Sequence, residues 1–176
     1  MISGISVDGD IASIRKIIGV CPQFDILWDE LTAGEHVELF HHLKHLTVSK
    51  EKILSSLESV GLEKNIDGRV TTFSGGMRRR LSLALSLVGG PELVILDEPT
   101  TGMDARVRLQ TWKLILGLRL KHTVLITTHN MEEAECVSDK IMIMSKGRVI
   151  AEGTALQLKK EYGQGYVIRG FDRAKN

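Results

Sequence analysis

The stretch Leu93-Val94-Ile95-Leu96-Asp97-Glu98-Pro99-Thr100 places two acidic residues directly after four apolar ones. A continuous apolar run of this length is typical of a strand that is covered on both faces, as in a parallel sheet. Such a strand would hold Asp97 in place at its end, where the carboxylate could bind Mg²⁺ directly or through water. Glu98 could orient and deprotonate an attacking water. A buried strand that merely ends in two acids is the alternative, because short apolar runs are ambiguous.

Strands and helices alternate on both sides of this stretch. Apolar and helical patterns predict strands over 17–21 and 123–127 and helices over about 75–88, 107–118 and 131–137. Two further short runs, 141–144 and 148–151, flank Ser145-Lys146-Gly147 and predict a hairpin. Strands that alternate with helices predict an α/β fold.

Three of the predicted strands end next to a polar residue, namely Gln23, the Asp97–Glu98 pair and His129. Ligands of open α/β sheets bind beyond the carboxyl ends of the strands, so we expect these residues to share one edge. A neutral imidazole such as His129 can exchange a hydrogen bond with a phosphate oxygen. The amide of Gln23 could reach a metal ion or a water. Each residue alone could be structural, and it is the shared edge that favours a site.

A helical region lies between the first two predicted strands. Thr32 and Glu35 form a T-x-x-E capping box ahead of an apolar pattern at Val37, Phe40, Leu43 and Leu46. A second helix would carry Ile53, Leu54, Leu57 and Val60 on one face and end at Gly61. The two helices have no strand between them, which predicts an inserted helical subdomain.

The segment Phe73-Ser74-Gly75-Gly76-Met77 opens a third helix, which Ser74 can cap. Glycines without a Cβ allow a phosphate to approach backbone N–H groups there. The cations that follow, residues 78–80, oppose the helix dipole at a cost of about 0.3–1 kcal/mol each if exposed. A nearby anionic ligand would offset part of this cost. A flexible capped turn with a solvated basic face is the alternative.

Histidines at 36, 41, 42 and 45 raise the possibility of a metal site, because His41 and His45 lie four residues apart on a helix. No acidic or thiol ligand accompanies them at a zinc-like spacing, so a structural role is the favoured interpretation.

The composition narrows the class of protein. The chain has 176 residues, 43% of them hydrophobic and 26% charged, with a formal net charge of +1. This near-neutral charge does not indicate a basic surface for binding nucleic acid or anionic lipid. No apolar stretch approaches the ~18 residues of a membrane span, and Met1 to Asp10 is not a secretory signal. Cys21 and Cys136 belong to no ligand-spaced cluster and are predicted to be unpaired thiols.

Several motifs of the chain resemble, in order, those of ABC transporter ATPases. Residues 19–23 resemble the Q-loop, 73–77 the signature motif, 93–98 Walker B with its catalytic glutamate, 101–104 the D-loop, and 128–129 the switch histidine. Finer features resemble subfamily A, the large lipid-exporting members: residues 21–25 with Leu27, 74–77, 87–90, 158–160 and 163–166. Met77, where other subfamilies have Gln, is expected in subfamily A.

The resemblance implies a P-loop NTPase-like (RecA-like), mostly parallel sheet core at 1–23 and 91–167. The inserted helical subdomain would be 24–90, and 168–176 would be a tail. ATP would lie between this domain and a second nucleotide-binding domain. In this arrangement Asp97 and Gln23 bind Mg²⁺. Glu98 is the general base, and His129 contacts the γ-phosphate. The motif residues that would contact nucleotide are Gln23, Ser74, Gly75, Gly76, Met77 and Asp104.

The resemblance also implies partners and a location. The domain would lie on the cytoplasmic face of a membrane and dock on the transmembrane domains of the same transporter. Those transmembrane domains would handle a lipid cargo, and no nucleic acid is expected.

The chain departs from the family pattern in three features. It contains no G-x-x-x-x-G-K-[ST] motif (Walker A) and no preceding aromatic residue to stack on adenine, and Ala105 stands where Pro is usual. Without that loop a triphosphate lacks its backbone cradle and lysine, so we expect the isolated chain to bind ATP weakly and to be inactive. A chain that is part of a longer protein explains the absence most simply. The alternatives are a truncated or degenerate non-catalytic domain and a soluble ABC-type ATPase, although no second motor domain or coiled-coil insertion is visible.

Overall fold

The computed structural model describes residues 1–6 and 9–163 of the chain. It divides the chain into two compact units, Met1–Asn130 and Met131–Asn176. The elements of the first unit are α1 (Ile11–Ile17), β1 (Ile18–Cys21), α2 (Ala33–Leu43), α3 (Lys50–Glu58), α4 (Gly75–Ser86), β2 (Leu93–Asp97), α5 (Ala105–Leu118) and β3 (Thr123–Thr127), with 3₁₀ turns at Glu63–Asn65 and Val70–Thr72.

The first unit contains a parallel sheet of order β1-β2-β3, which confirms the predicted fold class. Cys21 pairs with Leu96 and Asp97 pairs with Thr127, so the three strands end at the same edge. The segments that follow β1, β2 and β3 therefore all begin at this edge, and they carry the polar residues predicted to form a site.

One face of the sheet belongs to the core. Cys21, Val94 and Leu96 are buried there. Gly19 is required by close packing, because a Cβ at this position would lie 1.8 Å from the carbonyl oxygen of Ser86 at the end of α4. The thiol of Cys21 is unpaired, as predicted, and burial raises its pKa to about 11. Val20 and Leu125 on the opposite face remain 48% and 44% exposed.

The predicted caps of α2 and α3 are confirmed, but some of the residues predicted to be buried on these helices are exposed. The capping box is confirmed: the amide of Glu35 donates to Thr32 Oγ1 at 3.2 Å, and the amide of Thr32 donates to Glu35 Oε2 at 2.7 Å. The core-facing residues of α2 are Ala33, Gly34, His36, Val37 and His41. Leu43 and Leu46 are exposed, and Leu46 lies beyond the helix. The predicted apolar stripe of α2 is confirmed at Val37 and wrong at Leu43 and Leu46, and His36 and His41 occupy buried positions instead.

The α3 helix buries Ile53 and Leu57 as predicted, whereas Leu54 is 43% exposed. Val60 is buried just after the helix, and Gly61 has a φ of +68°, the left-handed conformation expected of a residue that ends a helix.

Two helices were not predicted. One is α1, which comes after an isolated bridge between Ile2 and Ile5. Asp10 caps α1 by accepting a hydrogen bond from the amide of Ser13 at 3.0 Å. The other helix is α7 (Ala155–Tyr162), which begins with a capping box of Thr154 and Gln157.

The second unit contains α6 (Met131–Val137), an antiparallel pair of strands, β4 (Ile141–Ser145) and β5 (Arg148–Gly153), and α7. The predicted hairpin is confirmed, with Lys146 and Gly147 at φ of +48° and +75° in its turn. Ala134, Ile141 and Leu158 form the core of the second unit.

The subfamily features at 164–166 and the predicted tail 168–176 lie outside the described residues. No helix in the described ranges combines the length and apolar character of a membrane span.

Candidate functional site

The carboxylate of Asp97 is anchored across the sheet. Asp97 is the last residue of the central strand β2, and its Oδ1 accepts a hydrogen bond from the hydroxyl of Thr127 at the end of β3. The amide of Glu98 donates to the carbonyl of Thr127 at 3.1 Å. The end of β3 therefore orients both acidic residues.

Glu98 has an unusual backbone conformation and two polar partners. Its φ of +48° lies in the left-handed region, which is uncommon for a residue with a side chain and costs free energy. Its Oε2 atom accepts a hydrogen bond from Thr101 Oγ1 at 2.9 Å and lies 2.8 Å from Nδ1 of His129. The structure thus brings two of the predicted residues, Glu98 and His129, into direct contact.

The contact fixes the orientation of the His129 ring. An ionised carboxylate can only accept, so Nδ1 carries the proton that is donated to Glu98. The His129 side chain is 75% exposed, against 19% for that of Glu98. A ligand that approaches from solvent would meet the other ring nitrogen, Nε2.

A small cavity of about 100 Å³ opens beside this pair. Its lining residues are Glu98, Thr100, Thr101, Gly102, Met103, Arg108, Thr128, His129 and Asn130. Arg108 was not predicted, although it lies four residues before Trp112 on α5 and its guanidinium is 5.9 Å from the centroid of that ring. The helical i,i+4 spacing could have predicted its contact with Trp112, but not its place beside the cavity.

Gln23 reaches the same edge through its main chain. Its carbonyl accepts from Nη1 of Arg79 at 3.4 Å, and Nη2 of the same guanidinium donates to the carbonyls of Asp97 and Glu98. The Gln23 side chain is exposed. The predicted edge is therefore assembled around Arg79, a residue to which the sequence assigned no specific role there.

The two glycines of the Ser74 turn serve different purposes. Ser74 caps α4 as predicted, with its hydroxyl accepting from the amide of Met77 at 3.3 Å. A Cβ at Gly76 would lie 2.8 Å from Cγ1 of Val107, so packing requires glycine. A Cβ at Gly75 would meet nothing within 4 Å. Among the described residues, packing therefore gives no reason for glycine at position 75, and the open space beside it can admit a ligand.

The arginines after this turn have partners within the protein. Arg78 pairs with Asp29 at 2.9 Å, and Arg80 donates to the carbonyls of Val60 and Gly61 at 3.1 and 3.2 Å. Arg79 is buried against main-chain carbonyls. Neither a bound anion nor a solvated basic face, the two explanations considered from the sequence, is needed to account for them.

Asp104 caps α5. Its Oδ1 accepts from the amides of Arg106 and Val107 at 2.9 and 3.0 Å. Ala105 occupies the first helical position, where Pro is favoured but Ala is also compatible with a helix. The departure from the usual Pro therefore leaves the start of the helix intact.

The donor chemistry at the strand ends fits Mg²⁺, which prefers carboxylate and water oxygens. Within residues 1–6 and 9–163, no group of three or more His, Cys, Asp or Glu residues is arranged to hold a metal ion. An ion beside Asp97 would therefore take most of its ligands from water and phosphate, as Mg²⁺ commonly does.

The buried histidines of α2 bind the main chain. His36 Nδ1 lies 2.8 Å from the carbonyl of Thr32, and its Nε2 accepts from the amide of Trp28 at 2.9 Å. His41 Nδ1 lies 2.8 Å from the carbonyl of Val37. His36 is therefore neutral with its proton on Nδ1, and burial lowers its pKa.

We expect His36→Ala to destabilise the fold by about 1–3 kcal/mol at pH 7, because the amide of Trp28 and the carbonyl of Thr32 both lose a partner. The pKa of His36 is lower in the folded than in the unfolded chain, so its contribution is complete above the unfolded value and is lost as pH falls. Chemical unfolding from pH 7.5 to pH 5 should show a weaker pH dependence in this variant. His42→Ala, at an exposed site on the same helix, is the control. An unchanged slope in His36→Ala contradicts the prediction.

The parallel sheet, with its acidic pair at the end of the central strand, defines a P-loop NTPase-like α/β fold. A solved bacterial Atm1-family ABC exporter with ATP bound has the same fold, with a TM-score of 0.72 at 21% identity. The match covers 85% of this chain and 27% of the exporter chain.

Sequence comparisons identify the family. The family model for the ABC transporter matches residues 1–101. ABC transporter A family member 9 of Arabidopsis thaliana is 48% identical over 158 residues, which is 89% of this chain and 17% of that protein. Human phospholipid-transporting ATPase ABCA3 is 44% identical over 167 residues, 94% of this chain and 10% of that protein. The chain belongs to the ABC transporter family, as a nucleotide-binding domain of subfamily A. It spans less than a fifth of the length of these two relatives.

Proposed function

We propose that this chain is the ATP-binding and ATP-hydrolysing part of a subfamily A transporter that moves phospholipid across a membrane. The observation that carries the proposal is Glu98 at the end of β2, held in a left-handed conformation and in contact with His129 at 2.8 Å. A carboxylate paired with an imidazole at the ligand-binding edge of a sheet suits general-base catalysis. The cargo is inferred from the relative named as a phospholipid-transporting ATPase, which is 44% identical.

Each residue at this edge of the sheet would have a separate role in ATP hydrolysis. Asp97 would hold Mg²⁺, with Gln23 contributing its amide; the ion supplies neutralisation of phosphate charge when bound. Glu98 would accept the proton of the attacking water. Thr101 and His129 both contact Oε2, so we assign Oε1 as the proton acceptor. His129 would present Nε2 to the γ-phosphate.

The Ser74 turn would serve a second nucleotide. Ser74 and Gly75 are exposed, and Met77 and Gly76 complete the turn. An exposed helix start with backbone N–H groups and no side chain at Gly75 suits a phosphate on a neighbouring domain. Asp104 would lie at the same domain–domain contact. ATP would therefore join two nucleotide-binding domains.

The helical region 24–90, between the core segments 1–23 and 91–167, would receive the transmembrane domains. Phe24, Ile26 and Trp28 are close in sequence and all exposed there, and exposed apolar side chains of this kind suit an interaction site. This contact would place the domain on the cytoplasmic face of the membrane.

Reconstitution of the full-length transporter that carries this chain into liposomes tests the proposal. We expect ATP and Mg²⁺ to drive movement of a fluorescent phosphatidylcholine between leaflets, with ATP turnover raised by that lipid. A non-hydrolysable ATP analogue is the control and should give no movement. ATP hydrolysis that is independent of lipid favours the soluble type of ATPase. Absence of hydrolysis favours a non-catalytic domain, and either result contradicts the proposal.

A further inference from the structure

The buried side chain of Arg79 joins the ends of two strands. Arg79 lies on α4, five residues after Ser74, and is only 7% exposed. Its guanidinium donates to main-chain carbonyls just after β1 and at and after the end of β2. These carbonyls belong to Pro22, Gln23 at 3.4 Å, Asp97 at 2.8 Å, Glu98 at 3.3 Å and Pro99 at 3.0 Å.

These contacts differ from those of an ordinary buried ion pair. The nearest carboxylate, Asp25 Oδ1, is 3.4 Å from Nη1 and also accepts from Ser82 Oγ at 2.8 Å. Arg79 therefore pairs with one carboxylate and also donates to carbonyls from two separate segments. A planar guanidinium has five donors at fixed angles, so it can hold several carbonyls at set positions, whereas a lysine ammonium cannot reproduce that geometry.

Arg79 contacts the backbone at a residue with an unfavourable conformation. Glu98 has a φ of +48°, and such a conformation persists only where the surroundings determine it. The Glu98 amide is held by the carbonyl of Thr127 at 3.1 Å and its carbonyl by Arg79 at 3.3 Å. Both ends of this strained residue are thus restrained. Gln23, on the neighbouring segment, is restrained by the same guanidinium.

We propose that Arg79 is a positioning residue for hydrolysis, which holds the backbones of Gln23 and Glu98 in register at the edge of the sheet. This inference rests on the proposed function, because it assigns Arg79 to the site of ATP hydrolysis. Arg79 shares α4 with the Ser74 turn, so the same helix also connects this site to the turn that would meet the neighbouring nucleotide.

The test compares Arg79→Lys with Arg80→Lys in the full-length transporter. A displaced catalytic group lowers turnover more than binding, so we expect Arg79→Lys to reduce kcat by roughly 10–100-fold. The KM for ATP should stay within about threefold of the wild-type value. Arg80→Lys is the matched control, since Arg80 binds only the carbonyls of Val60, Gly61 and Gly76 among its described contacts, and it should keep both constants.

Hydrogen exchange of the same variants separates this inference from the proposed function, because it needs no hydrolysis. The amides of Glu98, Thr100 and Thr101 should exchange roughly 10-fold faster in Arg79→Lys, with α5 unchanged. Equal exchange in Arg79→Lys and wild type, or unchanged kcat, overturns the positioning role. A uniform rise in exchange with a lower Tm also overturns it, because that result describes a purely structural residue. A wild-type transporter without ATPase activity overturns the proposed function, while the exchange comparison still decides whether Arg79 holds Glu98.

Discussion

Glu98→Gln in the full-length transporter should lower ATP turnover by roughly 10²–10⁴-fold, the usual contribution of a general base. The amide keeps the size of the side chain and an oxygen that can accept from Thr101 and His129, but it cannot accept a proton from water. Binding of ATP depends on other groups, so the variant should retain ATP in a stable complex. Single-turnover hydrolysis and the amount of bound nucleotide after gel filtration measure the two effects.

Glu92→Gln provides the control for this substitution. Glu92 precedes β2, at the opposite end of the same strand, and its carboxylate is exposed and accepts a hydrogen bond from Ser3 at 2.6 Å. This variant should turn over ATP like the wild type. Normal turnover by Glu98→Gln excludes the general-base role, whereas loss of turnover in both variants indicates that β2 itself has been disturbed.

The sheet and its acidic edge could be predicted because their signals are local. The apolar run 93–96 predicts a strand, and the acids that come directly after the run therefore lie at the strand end, with Asp97 as its last residue. The contact between Glu98 and His129 depends in addition on the register of β2 with β3, in which Asp97 pairs with Thr127. A strand pattern identifies the ends of each strand but not the register between two strands, so proximity was predictable and the 2.8 Å contact was not.

Buried polar residues account for most of what the sequence did not predict. An arginine on a helix is normally solvated, and Arg79 is buried because carbonyls from separate segments meet its guanidinium. The same reasoning applies to His36, whose two ring nitrogens are paired with the main chain. The apolar periodicity of α2 could not reveal this. The α1 helix, by contrast, had a readable signal in Asp10 as a cap.

The Ser74 turn gives the other large effect, because folding and activity should respond in opposite directions to Gly75→Asp. A carboxylate in the first turn of α4 interacts favourably with the helix dipole, by about 0.3–1 kcal/mol, and a Cβ at this position meets nothing within 4 Å. Thermal stability should therefore be kept or increased. The same carboxylate would repel a phosphate on the neighbouring domain, and like charges about 4 Å apart cost roughly 4 kcal/mol near a protein surface. We expect ATP turnover of the full-length transporter to fall by roughly 100-fold or more.

Gly76→Ala is the matched comparison, since its cost arises inside the chain. Its Cβ would lie 2.8 Å from Cγ1 of Val107, a stiff β-branched side chain, so the fold should be destabilised by about 1–3 kcal/mol. Val107→Ala in the same chain should restore part of that stability. Unfolding curves and ATPase rates of the three variants distinguish the two glycines.

If Gly75→Asp turns over ATP normally, the turn does not face a nucleotide and the two-domain arrangement of the site has to be abandoned. If it loses activity at unchanged stability, the result supports a nucleotide held by a second domain beside Gly75.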